Sequence, residues 1–130
     1  MGKRKNSFKW QPLSIKQIKV MTWWTKTSPY HDYDGIIADG AVRSGKTVSM
    51  AASFINWAME TFNGCDFALC GKTVGSLRRN VINTLKMQMN SLDFEYCEKR
   101  TDNLITVTKG DTENYFYCFG GKDESSQDLI

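Results

Sequence analysis

The chain has 130 residues, of which 41% are hydrophobic, a single-domain length able to bury one core. Its formal net charge of +3 is unevenly spread: residues 1–26 hold seven basic and no acidic side chains, leaving ten basic against fourteen acidic beyond them. No signal peptide or transmembrane run is present, and the four cysteines form no CxxC pair and lie far in sequence from the single histidine, His31. The pattern argues against a secreted disulfide scaffold, a membrane span and a zinc site, and leaves the cysteines as small buried residues with reduced thiols, as in a cytoplasm.

Residues 1–9, with Lys3, Arg4, Lys5 and Lys9, read as a disordered basic arm that either contacts nucleic acid or solvates the terminus. Ser14 followed by Gln17 matches a capping box opening a helix over about 15–25, with Ile15, Ile18 and Met21 as its apolar stripe. Gln17 carries two compatible readings: its amide closes the cap, or it uses donor and acceptor together to read an adenine. Residues 28–35 are a turn-rich connector around Pro29, in which His31 reads as an exposed loop residue rather than a base.

Residues 35–39 read as a buried strand leading into Gly40-Ala41-Val42-Arg43-Ser44-Gly45-Lys46-Thr47, which fits the phosphate-binding loop pattern. Gly40 and Gly45 lack a Cβ, so the backbone can turn its N–H groups onto phosphate oxygens. The following helix adds its unsatisfied N–H groups and the positive end of its dipole. In this chemistry Lys46 reaches the β- and γ-phosphates of ATP and the Thr47 hydroxyl ligates Mg²⁺. The loop therefore assigns nucleotide contacts to Gly40, Ala41, Val42, Arg43, Ser44, Gly45, Lys46 and Thr47.

The helix over 47–62 is apolar around most of its circumference, which marks it as largely buried, and Asn63-Gly64 ends it. Residues 67–70 form a short apolar strand expected to lie parallel beside the first, completing a βαβ unit. Gly71-Lys72-Thr73 imitates a second phosphate loop, but position 66 is Asp, so Thr73 reads instead as the N-cap of a helix over 74–90 with Val74, Leu77, Val81, Leu85 and Met89 along one face. Arg78 and Arg79 on that helix either meet DNA phosphates or belong to a solvated face. Strands follow at 94–97, 104–108 and 115–119, the last two joined as a hairpin across Lys109-Gly110-Asp111. Tyr115-Phe116-Tyr117 reads as half-buried strand rather than a base-stacking platform.

A phosphate-loop ATPase also needs an apolar strand ending in a carboxylate to hold Mg²⁺ and orient water. None follows Thr47 here. Residues 10–130 are thus expected to be the N-terminal part of a P-loop ATPase domain that stops before this acidic (Walker B) strand, and such a piece is expected to hydrolyse ATP negligibly.

In this order and spacing the chain resembles the N-terminal part of the ATPase domain of the large terminase subunit of tailed bacteriophages. The residues that carry the resemblance are Pro12-Leu13-Ser14-Ile15-Lys16-Gln17, the loop at 40–47, Leu69-Cys70-Gly71-Lys72-Thr73 leading into an arginine-bearing helix, and Phe119-Gly120-Gly121-Lys122-Asp123-Glu124. The resemblance implies an α/β fold with a RecA-like parallel-sheet core, of which this is the N-terminal portion with a β-hairpin excursion. It also implies an ATPase that drives double-stranded viral DNA into a prohead in the bacterial cytoplasm and a nuclease domain elsewhere in the protein. The implied partners are the portal protein, the small terminase subunit and further copies of the chain, with no membrane. Arg43 takes either of two roles under it: stabilising the γ-phosphate, or offering only its backbone N–H while its side chain pairs with a carboxylate. Two other functions stay open, a small-molecule phosphotransferase such as a nucleotide kinase, and a nucleotide-binding module without catalysis.

Overall fold

A computed structural model of the chain describes residues 10, 12–38 and 45–121. The basic arm, the loop residues Gly40, Ala41, Val42, Arg43 and Ser44, and residues 122–124 of the C-terminal motif lie outside the described residues.

Helix α1 (Ile15–Thr22) starts where the capping box places it. The Ser14 N–H donates to Gln17 Oε1 at 2.9 Å, and the Gln17 N–H donates to Ser14 Oγ at 3.2 Å. It stops before residue 25, and its expected apolar stripe is not a core face, because Ile15 is 75% and Ile18 47% exposed. Residues 35–38, expected as a strand, pair with no other described segment.

Helix α2 (Lys46–Thr61) is the buried helix that its composition requires, with Ala52, Ile55 and Ala58 fully covered. Its partners are the sheet and a second, composite helix. Strands β1 (Asp66–Gly71), β2 (Glu95–Lys99), β3 (Leu104–Lys109) and β4 (Thr112–Gly120) form one sheet in the order β1-β4-β3-β2. β1 and β4 run parallel, from Asp66 opposite Tyr115 to Gly71 opposite Gly120, while β4–β3 and β3–β2 are antiparallel. The parallel neighbour of β1 among the described residues is β4, and residues 35–38 form no ladder with it, so the expected βαβ pairing is not formed by the described residues. The hairpin is as expected, turning at Gly110 with φ +59°.

The composite helix runs α3 (Val74–Leu77), a π-helical turn (Arg78–Ile82) and α4 (Asn83–Ser91). Thr73 caps it, its hydroxyl accepting from the Ser76 N–H at 3.0 Å. The wider π turn inserts one residue into the apolar period, so the buried series is Leu77, Ile82, Leu85 and Met89. Ile82, not Val81, takes the fully buried position.

The core lies between the helices and the inward residues of β3 and β4, namely Ile105, Val107, Phe116 and Cys118. Phe116 stacks on Phe67 with centroids 5.1 Å apart, and Phe54 meets Phe116 edge-on at 5.7 Å. Tyr115 and Tyr117 alternate with these inward residues on the opposite face, the half-buried strand pattern that the sequence predicts. Cys118 is buried as expected, but Cys70 and Cys97 are exposed because they point to the side of the sheet away from the helices.

Candidate nucleotide-binding site

The site is built at the N-terminus of α2. Gly45 is its N-cap, in the left-handed conformation at φ +83° that a side chain would strain. The Gly45 carbonyl accepts from the Ser49 N–H at 3.1 Å and the Ser49 hydroxyl at 3.0 Å, which fixes the first turn. Lys46 and Thr47 are the first two helical residues, the first partly covered and the second exposed. Their position puts both residues at the positive end of a 16-residue helix, where the backbone N–H groups of a first turn point outward.

Gln17 reaches this turn from α1. Its Oε1 is held by the Ser14 N–H in the capping box, and its Nε2 lies so close to Gly45 that a Cβ there would collide with it. One amide thus closes the helix cap and covers the loop glycine. With one lone pair of Oε1 used in the cap, the second lone pair and the N–H₂ group remain as the polar sites of the side chain.

A cleft of about 550 Å³ adjoins Lys46 and Thr47, between residues 36–38 and the outer edge of β1. Its floor is Met50, Ala51 and Phe54 of α2 with Val81 and Leu85, an apolar surface suited to a packed chain segment rather than to a triphosphate. The polar groups lie at its rim.

The two arginines part company. Arg78 donates from Nη2 to Asn103 Oδ1 at 2.7 Å, and its Nε lies 3.7 Å from Glu98 Oε2. Glu98, only 15% exposed, also pairs with Lys86. Arg78 is therefore engaged with the sheet, whereas Arg79 is exposed. His31 is an exposed loop residue as expected, paired with Asp32 at 2.9 Å. Among the described residues no group of three His, Cys, Asp or Glu side chains could hold a metal ion, and no helix is long and apolar enough to cross a membrane.

Two buried amides escaped the sequence reading. Asn114 of β4, fully covered, donates from Nδ2 to Ala58 O at 3.2 Å and Phe62 O at 3.0 Å and accepts at Oδ1 from the Cys65 N–H at 3.0 Å, holding the C-terminal end of α2. Gln88 of α4, also fully covered, donates from Nε2 to Val48 O at 3.0 Å, in the first turn of α2. The signal was present for both: Asn114 falls on the inward side of an alternating strand, and Gln88 sits between buried Leu85 and Met89 on a helix.

No family model and no curated protein sequence matches the chain. Solved structures do. The chain is 55% identical over 92% of its length to the large terminase from a thermophilic bacteriophage, with a TM-score of 0.89. It matches the same terminase in complex with ADP at 55% identity over 90% of the chain, TM-score 0.85, and in complex with ATP-gamma-S at 50% identity over 87%, TM-score 0.82. The chain spans 28–29% of the length of that terminase.

Proposed function

The chain is a relative of the bacteriophage large terminases, and from that premise we propose that it is the ATP-binding part of a DNA-packaging motor with a RecA-like core. The observation that carries the reading is the left-handed Gly45 opening α2 with Lys46 and Thr47 behind it, the geometry a phosphate cradle needs. In this reading residues 40–47 would supply the phosphate contacts, Lys46 would neutralise the terminal phosphates, and Arg43 would serve either the γ-phosphate or the loop through its backbone N–H. Gln17 borders the base. Kinship with a terminase that binds ADP and ATP-gamma-S disfavours the phosphotransferase alternative.

Mg²⁺ fits the donor set in part. It takes six oxygens in near-octahedral array, usually from phosphates, water and one or two side chains. The exposed Thr47 hydroxyl is one such donor beside the phosphate turn. When bound, the ion would supply positive charge that offsets that of the phosphates, with the Thr47 hydroxyl as the side chain that would hold it. A carboxylate at the end of an apolar strand would complete the site, and the cleft beside the outer edge of β1 has the apolar floor such a strand requires.

Double-stranded DNA meets exposed Arg79 rather than the ion-paired Arg78, and the basic arm adds non-specific phosphate contacts. The portal protein, the small terminase subunit and further copies of the chain complete the assembly in the host cytoplasm. Phosphate release by the full-length protein tests the reading. Stimulation by double-stranded DNA that disappears in Lys46→Ala supports the motor; a rate indifferent to DNA but dependent on a small phosphate acceptor contradicts it.

A further inference from the structure

We propose that Gln88 is a positioning residue of the nucleotide site: its buried amide pins the first turn of α2, and with it Lys46 and Thr47, to α4. This rests on the reading of that turn as a phosphate cradle.

Helix α2 is fastened by a buried amide at each end, and the two are not alike. Asn114 uses both its oxygen and its nitrogen, satisfying carbonyls at the end of α2 and the Cys65 N–H beyond it. It makes the helix stop and turn, a structural task. Gln88 donates to Val48 O, yet its Oε1 is buried with no hydrogen-bond partner among the described residues. Val48 O lies inside a helix, where the N–H four residues on already serves it, so the extra bond rescues no orphaned group. Burying an amide and leaving its oxygen unmet is unfavourable compared with an apolar side chain of the same volume. Stability alone therefore does not account for a glutamine here.

Geometry does account for it. Along the middle of α2 the packing is apolar, Ala51, Ile55 and Ala58 in the core and the Phe54 and Trp57 rings against Phe67, and none of these residues lies in the first turn. A directional bond at Val48 fixes both the axial position and the rotation of the adjoining turn. Its other end is firmly based, because α4 buries Leu85 and Met89 in the core and continues from the π turn whose Arg78 is tied to Glu98 and Asn103. A chain of contacts thus runs from the sheet through α4 to the residues behind Lys46. Positional errors of about an ångström at such a site are enough to matter for binding and catalysis.

The test compares wild type with Gln88→Met and Gln88→Leu in the full chain, by site-resolved amide exchange and by titration with a fluorescent ATP analogue and Mg²⁺. Both variants are expected to keep or raise the melting temperature. Exchange at residues 49–53 should speed up about tenfold while residues 55–61 keep their protection, and nucleotide affinity should fall about tenfold. Unchanged exchange at 49–53, a loss spread evenly along α2, or collapse of both variants would overturn the proposal. Wild type that binds no nucleotide while the local exchange effect persists would instead contradict the nucleotide reading and leave the pin standing.

Discussion

Gly45 concentrates what the site asks of one residue. Its φ of +83° and the Gln17 amide packed over it leave no room for a side chain, so Gly45→Ala meets backbone strain of about 1–2 kcal/mol and a clash that must displace Gln17. The expected outcome is a small drop in melting temperature with loss of nucleotide affinity, read by thermal denaturation and equilibrium titration on the same sample. Cys118 is a second residue with a clear expectation. Burial raises its thiol above the ordinary 9.0, and Arg78 and Lys86 only partly oppose that. A raised value in the folded state means that its contribution to stability is complete below pH 9 and fades as pH climbs through the folded value. Alkylation at about pH 8 should label exposed Cys70 and Cys97 promptly and leave Cys118 intact until the protein unfolds. Equal labelling of all three would contradict the buried placement.

The composite helix is where regular periodicity misleads. A continuous α-helix over 74–90 would bury Val81, one turn from Leu77, but the π turn from Arg78 to Ile82 moves the buried position on by one. Ile82→Ala is thus expected to cost about 2–5 kcal/mol, and Val81→Ala about 1 kcal/mol or less, in denaturant unfolding. The reverse order would mean that no π turn exists. Elements whose ends are fixed by local chemistry were readable from sequence: the Ser14–Gln17 capping box, the Thr73 cap, the Gly110 hairpin, and a helix α2 too apolar to be exposed. What depended on partners was not. Nothing local says that β1 pairs with β4, since parallel pairing is set by packing among distant segments. Nor could an apolar stripe on α1 reveal that Ile15 and Ile18 face solvent. In the candidate site, the loop pattern proposed Lys46 and Thr47, and α2 starts at those residues, whereas Gln88 and Asn114 emerged only once burial was known.

Taken whole, the described chain is a sheet covered by helices on one face and approached by the phosphate turn at one end. The other face carries a groove of about 760 Å³ among Ala68, Leu104, Tyr117 and Phe119. β1 presents an outer edge of low charge over Phe67 to Cys70, while the opposite edge strand, β2, is guarded by Glu95, Glu98 and Lys99. The unguarded edge lies on the same side as Lys46 and Thr47, around the apolar cleft, so the proposed phosphate cradle and the open sheet edge share one region of the molecule. Calorimetric titration of ATP with Mg²⁺ into the intact protein and its Lys46→Ala variant addresses that region most directly. One saturable site per chain in wild type, with affinity lost in the variant, is the expected result. Saturation equally tight in both would contradict the assignment of the turn at α2 as the phosphate cradle.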